Sequence, residues 1–153
     1  MTARGKYIGR GGFSLLELIL VIAIMGMLAA LVLPSLPGAV ESARLRGSAG
    51  EVRAALNLAR TQAVSEARGR SVALDLGKGE YGIDGDERRW TLPEGIRLAT
   101  VRFGDAIAER GVVRVRFRPD GSADEAEVAV SSPGGGIVRI LVDPLTGMVG
   151  EGT

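Results

Sequence analysis

The sequence predicts an α+β fold in which a long N-terminal helix, first transmembrane and then amphipathic, packs on an antiparallel β head domain. Three observations support this prediction. An apolar run fills residues 13–33, a stretch with helical spacing of apolar residues follows it, and beyond residue 69 that spacing changes to two. The expected parts are a cytoplasmic leader, a transmembrane helix, an amphipathic half-helix and a β head domain, at residues 1–12, 13–34, 35–69 and 70–153.

The apolar run is long enough to cross a membrane. As a helix, its 21 residues would extend roughly 31 Å, close to the hydrocarbon thickness of a bilayer. The leader before it carries three cations and no anion. Because positive charge favours the cytoplasmic side, we expect a single-pass protein with its N-terminus in the cytoplasm and its C-terminal domain in the periplasm.

A short motif stands where the leader meets the apolar run. Gly12 and Phe13 begin it, and Glu17 is the only charge within the run. An ordinary secretory signal would instead have its cleavage site after the run, where prolines 34 and 37 obstruct it. The segment Gly-Phe-Ser-Leu-Leu-Glu at residues 12–17 resembles the type III signal of type IV pilins and type II secretion pseudopilins.

The resemblance implies a role for each of these residues. A prepilin peptidase would cut after Gly12, Phe13 would become the N-methylated first residue, and Glu17 would guide subunit assembly in the inner membrane. Burying a carboxylate in hydrocarbon costs about 2.5 to 3.5 kcal/mol. The cut would give Phe13 a free amino group, with which the Glu17 carboxylate could pair in the same or a neighbouring subunit. At an effective dielectric near 20 this attraction is about 4 kcal/mol, which offsets the cost of burying the carboxylate. Without the resemblance, an acid favoured by the helix macrodipole would explain Glu17.

Residues 41–68 have the spacing of an amphipathic helix, with arginines away from the apolar stripe. The stripe is mostly alanine, which lets a sheet approach closely. We therefore expect the helix to pack on its own head domain rather than on a coiled-coil partner, and Gly69 to end it. The residues of the stripe are Leu45, Ala49, Val52, Leu56, Ala59, Ala63 and Ala67.

Beyond the helix, apolar and polar residues alternate as in strands with one buried face. Strong alternation occurs at residues 71–76, 113–117 and 138–142. Weaker strands are expected around residue 81 and at residues 89–92, 96–103 and 127–131, separated by turns rich in Gly, Pro and Asp. Helical spacing does not recur, which predicts an antiparallel sheet.

The segment that leads from the helix into the first strand resembles one subgroup of these proteins in particular. Residues 56–76 are similar to the H-type minor pseudopilins and the related FimT-like minor pilins, and residues 117–122 and 147–149 are similar to their later strands and turns. This resemblance implies a structural component of the type II secretion pseudopilus, in its tip or initiation complex, with other pseudopilins as partners. The alternative is a FimT-like minor pilin that binds DNA for uptake or aids pilus assembly.

The DNA-binding alternative rests on Arg114, Arg116 and Arg118, which period two places on one strand face. Three guanidiniums in a row suit phosphate contacts. Without the leader, however, 16 basic residues remain against 18 acidic ones, so the mature chain is not basic overall. We interpret the row as a solvated strand face with nearby acids, and nucleic acid is not an expected partner.

The composition argues against an enzyme. The chain has no Cys and no His, which removes thiolate nucleophiles, most zinc sites and the usual general base. A membrane-tethered hydrolase also lacks a Ser-x-x-Lys motif. We therefore expect no enzymatic activity, no cofactor and no metal.

Three other groups of residues are given structural interpretations. The acids at residues 84, 86 and 87 lack the later ligand of a calcium loop. The three glycines at residues 134–136 lack the Lys-Ser/Thr that completes a P-loop. Trp90, the only tryptophan, is expected to anchor the core rather than to stack on a base.

Overall fold

The structure is a computed structural model that describes residues 14–32 and 36–152. The chain divides into two compact units, one ending at Pro37 and the other beginning at Gly38. The described residues form two helices and nine strands: α1 (Leu15–Val32), α2 (Leu36–Ser65), β1 (Arg70–Asp75), β2 (Glu80–Ile83), β3 (Arg89–Thr91), β4 (Arg97–Phe103), β5 (Ala106–Ala108), β6 (Val112–Phe117), β7 (Ala126–Ser131), β8 (Ile137–Val142) and β9 (Val149–Gly152).

Helix α1 is formed by the apolar run, and Glu17 in its first turn is its only charged residue. Within the described parts of the chain, no helix combines the length and the apolarity that crossing a membrane requires. The predicted span at residues 13–34 begins and ends outside the described residues, as does the predicted junction of the two helix halves at residues 33–35.

Helix α2 packs on the sheets through the predicted alanine stripe, which is buried from Leu45 to Ala63. The small side chains bring the helix close to the strands, and the stripe and the inner faces of both sheets form one core. Ala67, the last residue assigned to the stripe, is exposed, because α2 has already ended.

The C-terminus of α2 is closed by a Schellman motif. The Arg68 amide donates to the Ala63 carbonyl over 3.1 Å, and the Ala67 amide donates to the Val64 carbonyl over 3.3 Å. Ala67 has a φ of 48°, a left-handed conformation that favours glycine because a Cβ is strained there. The prediction that Gly69 ends the helix is therefore wrong, since the chain reverses two residues earlier.

The nine strands form two sheets, with strand orders β3-β2-β1-β6 and β5-β4-β7-β8-β9. Every pairing between the named strands is antiparallel, which confirms the predicted α+β class. In the first sheet β1 joins β2 to β6, and Val72 lies opposite Val115. In the second sheet β7 is central, and Val128 lies opposite Ile140.

The predicted alternation holds on β6 and β8, where inward residues such as Val115 and Phe117 are fully buried. It fails on β1, because Ala73 is buried together with the inward residues on either side of it. Ala73 is small and lies in a strand that is flanked on both sides. Strands β5 and β9 were not predicted, since both are short edge strands without clear apolar alternation.

Candidate assembly and nucleic-acid surfaces

The first candidate surface is α1, where Glu17 lies among exposed apolar side chains. Leu16 and Leu18 are 76% and 52% exposed, and exposed large apolar residues continue along the helix to Leu28. A continuous apolar surface of this kind marks contact with lipid or with an apolar partner. Gly12 and Phe13, the predicted cleavage and methylation residues, lie outside the described residues.

The second candidate surface is the outward face of β6 together with the residue that follows the strand. Arg114 and Arg116 on β6 and Arg118 just after it are exposed, as predicted. The Arg114 Nε atom lies 3.0 Å from Asp84 Oδ2, and the Arg118 Nη2 atom lies 2.8 Å from Asp124 Oδ1. Three guanidiniums and two carboxylates leave one net positive charge. Phosphate binding at the paired arginines would therefore compete with the carboxylates.

Asp84, one of the three acids that lack the later ligand of a calcium loop, is engaged in other contacts. It accepts a hydrogen bond from Arg114 and another, of 3.1 Å, from the Ser71 hydroxyl. Among the described residues, no three potential ligating side chains come close enough together to hold a metal ion. Asp84 therefore acts as a partner of the arginine row.

Glu41 on α2 holds the loop of three glycines between β7 and β8. Its Oε1 atom accepts a 2.7 Å hydrogen bond from the Gly134 amide. Hydrogen bonds from Ser132 and from this amide lower the pKa of Glu41 below its ordinary value. A Cβ at residue 134 would collide with this carboxylate. The Gly134 amide, which the phosphate-cradle interpretation would direct at a ligand, is thus occupied by the protein's own side chain.

The other end of α2 is joined to the last turn of the chain. The Arg60 Nε atom donates to the Thr146 carbonyl over 2.8 Å. Asp143 shapes this turn, because its Oδ1 atom accepts hydrogen bonds from the Leu145 and Thr146 amides. Gly147 has a φ of 60°, and a Cβ there would overlap the Gly121 carbonyl oxygen.

Trp90 packs against the core, as predicted. Its ring stacks on Tyr81 with a centroid distance of 5.7 Å and an interplanar angle of 23°. Burial and the nearby Glu51 carboxylate raise the pKa of Tyr81 to about 12. Tyr81 therefore stays protonated and neutral at physiological pH.

The sequence did not identify the acids that pair with the arginine row. Asp124 follows Arg118 by six residues, so a return of the chain after the turn could have suggested that pair. Asp84 reaches Arg114 only because β1 lies between β2 and β6. That strand order has no local signature in the sequence.

Comparison with known proteins gives one family. Residues 48–146, more than half of the chain, match the family described as type II transport protein GspH. The type II secretion system protein H of Xanthomonas campestris pv. campestris is 30% identical to the chain over 137 residues. The aligned region covers 86% of this chain and 72% of that protein.

Solved structures share the fold. The minor pseudopilin EpsH from the type II secretion system of Vibrio cholerae aligns with a TM-score of 0.60 at 15% identity, covering 73% of this chain and 94% of that chain. The type IV minor pilin FimU of Pseudomonas aeruginosa aligns with a TM-score of 0.56 at 19% identity, covering 74% and 91%. Because one is a pseudopilin and the other a pilin, the fold alone does not separate the two functions.

Proposed function

Because the chain belongs to the GspH family of type II transport proteins and is a minor pseudopilin, a structural component of the pseudopilus, we propose how it is processed and where it acts. Prepilin peptidase cuts after Gly12, Phe13 is N-methylated, and the mature chain assembles with other pseudopilins. Its place is the tip or initiation complex of a short periplasmic filament. The motif at residues 12–17 and the family match support this proposal.

The proposed anchor is the apolar segment at residues 13–33. The 18 described residues of α1 would extend about 27 Å, and the apolar residues that flank them in the sequence lengthen the segment toward the 30 Å of a bilayer core. The exposed apolar surface of α1 would then face inner-membrane lipid. Three cations in the leader support a cytoplasmic N-terminus and a periplasmic head.

The position of Glu17 in α1 is the observation that supports a role in assembly. Glu17 is the only charge in α1, and the large side chains beside it are exposed and apolar. A carboxylate in that position needs a cation once the helix is surrounded by lipid or by other helices. Cleavage after Gly12 would create an amine one helical turn before Glu17, and that amine can neutralise it in the same or a neighbouring subunit.

A complementation experiment tests this proposal. In a strain lacking the gene, the wild-type chain should restore secretion, whereas Glu17→Ala should enter the membrane at least as well but fail to enter the pseudopilus. Removing one partner of a buried ion pair typically costs 3 to 5 kcal/mol. Glu109→Ala, which removes an exposed acid of the head, is the matched control. Normal secretion by the Glu17→Ala strain would contradict the proposed role.

The second candidate function is DNA binding by a type IV minor pilin. The exposed arginine row on β6 is the observation that favours it. The pairing of Arg114 and Arg118 with carboxylates weakens it, since phosphates would have to displace Asp84 and Asp124. The type II secretion role is therefore favoured over DNA binding.

A further inference from the structure

A groove lies between α2 and β3, the edge strand of the first sheet. Trp90 on β3 pairs with β2 on one side only, and its ring is partly buried where it packs against the core. The groove has a volume of about 370 Å³, within the range of about 300 to 1,000 Å³ typical of ligand pockets. It is lined by Glu51, Ala54, Ala55, Leu58, Tyr81 and Trp90.

The groove offers apolar surface that the head leaves uncovered. Leu58 is 40% exposed, whereas an inward residue of the same helix such as Leu56 is fully buried. Ala54 is exposed and small, so the flank of α2 beside Trp90 is open. An apolar side chain placed between Leu58 and Trp90 would bury surface on both, and burial of this kind stabilises a contact by roughly 25 cal/mol per Å².

Glu51 gives the groove its charge. It is the only ionisable residue in the lining besides the protonated Tyr81. Among the described residues, no cation lies within 4.0 Å of the Glu51 carboxylate, and the ion pairs found there all involve other acids. The α2 residues one turn away, Gly47 and Ala55, carry no charge that could compensate it.

The Glu51 carboxylate accepts a hydrogen bond from Tyr81 but has no cationic partner among the described residues. Beside the partly buried ring of Trp90, such a carboxylate is complementary to a cation. A guanidinium or ammonium group in the groove could pair with Glu51 and lie against the face of the Trp90 ring. Among the aromatic side chains, tryptophan gives the strongest cation–π attraction. Arginine fits best, because its planar group can donate to a carboxylate and stack on a ring at the same time. Desolvation by the surrounding apolar residues would strengthen both contacts.

We propose that this groove docks a basic side chain, together with an adjacent apolar one, from the head of another pseudopilin. The inference rests on the proposed function, because that function supplies the class of partner. The basic side chain pairs with Glu51, and the apolar one occupies the space between Leu58 and Trp90. The groove thereby selects a neighbouring subunit by charge as well as by shape.

Cross-linking in the native host tests the proposal with the full-length chain. The photoreactive residue p-benzoyl-L-phenylalanine is placed at Leu58, and the cross-linked peptides are identified by mass spectrometry. We expect a cross-link to another pseudopilin, at a segment with an Arg or Lys within about four residues, one helical turn. The same residue at Met148, which is exposed but outside the groove, should not give this product.

Charge reversal provides the decisive variant. Glu51→Arg should reduce the cross-link at least about tenfold, because repulsion replaces attraction to the partner's cation. Glu109→Arg makes the same change of charge in the turn between β5 and β6 and should leave the yield unchanged. Should Glu51→Arg fail to accumulate, Glu51→Gln, which keeps the shape of the side chain, carries the test and should also lower the yield.

Three results would overturn the proposal: no cross-link to a pseudopilin, a cross-link that Glu51→Arg leaves unchanged, or a cross-linked segment without a basic residue. Failure of the proposed function would look different, because secretion would then continue with Glu17→Ala. If secretion depends on Glu17 and the cross-link at Leu58 is absent, the groove proposal alone is wrong.

Discussion

Arg60 and Thr146 are joined by a 2.8 Å hydrogen bond from the arginine Nε atom to the threonine carbonyl oxygen, although 86 positions separate them in the chain. This bond ties the C-terminal part of α2 to the turn before β9. Gly147, next to Thr146, lies against both Arg60 and the Gly121 carbonyl. Contacts between α2 and the turn before β9 thus hold this end of the head together.

We expect Gly147→Ala to destabilise the head by at least about 2 kcal/mol, because it adds a Cβ at positive φ and against a backbone oxygen that cannot easily move. Urea unfolding followed by the fluorescence of Trp90, the only tryptophan, measures this. Gly150→Ala is the control, since a Cβ at that position meets nothing within 4 Å. Equal stability of the two variants would contradict the close packing at Gly147.

Ala67→Gly should stabilise the head by about 0.5 to 1 kcal/mol, because glycine adopts the left-handed conformation at the end of α2 without the strain of a Cβ. The same change at Ala43, an exposed residue within α2, should destabilise by a similar amount. Opposite shifts of the two urea midpoints are the expected result. A loss of stability at both positions would show that Ala67 is not strained.

Glu41 should make the stability of the head depend on pH. Its pKa is lowered in the folded state by the Ser132 and Gly134 hydrogen bonds, so its contribution is complete above the ordinary value near 4.5 and is lost as pH falls through the lowered value. Wild type should therefore be more stable than Glu41→Gln at neutral pH, and the two should converge in acid. A difference in melting temperature that stays constant down to acidic pH would contradict the ionised hydrogen bond to Gly134.

The arginine row distinguishes secretion from DNA uptake. Binding of duplex DNA through three phosphate contacts should show a salt slope of about −2.7 and disappear near physiological salt. A triple variant with Ala at residues 114, 116 and 118 should secrete normally, which a secretion assay in the complemented strain measures. Tight DNA binding by the wild-type chain at physiological salt, lost in this variant, would favour the uptake function instead.

The sequence predicted those parts of the fold that depend on local periodicity. The alanine stripe of α2 and the alternation of β6 and β8 follow from side chains on one face, which are visible in the sequence. The ion pair between Arg114 and Asp84 depends on which strands are neighbours. The end of α2 was misplaced because Ala67 adopts a conformation in which glycine was expected.

The candidate sites were predicted unevenly for the same reason. The motif at residues 12–17 is contiguous, so it could be proposed from the sequence, and the roles given to its residues stay predictions. The groove beside Trp90 combines residues of α2, β2 and β3, and the sequence gives no sign that Glu51 and Trp90 lie on the same groove. Its existence follows from the edge position of β3.

The N-terminus of the mature protein is the most direct test of the central claim. Mass spectrometry of the protein purified from membranes of its native host should detect a peptide that begins with N-methylated Phe13. Replacing Gly12 with a bulky residue should abolish that peptide and leave the leader attached, because a bulky side chain next to the cleaved bond obstructs the peptidase. A mature protein that retains Met1, or that begins after residue 39, would contradict assembly as a pseudopilin.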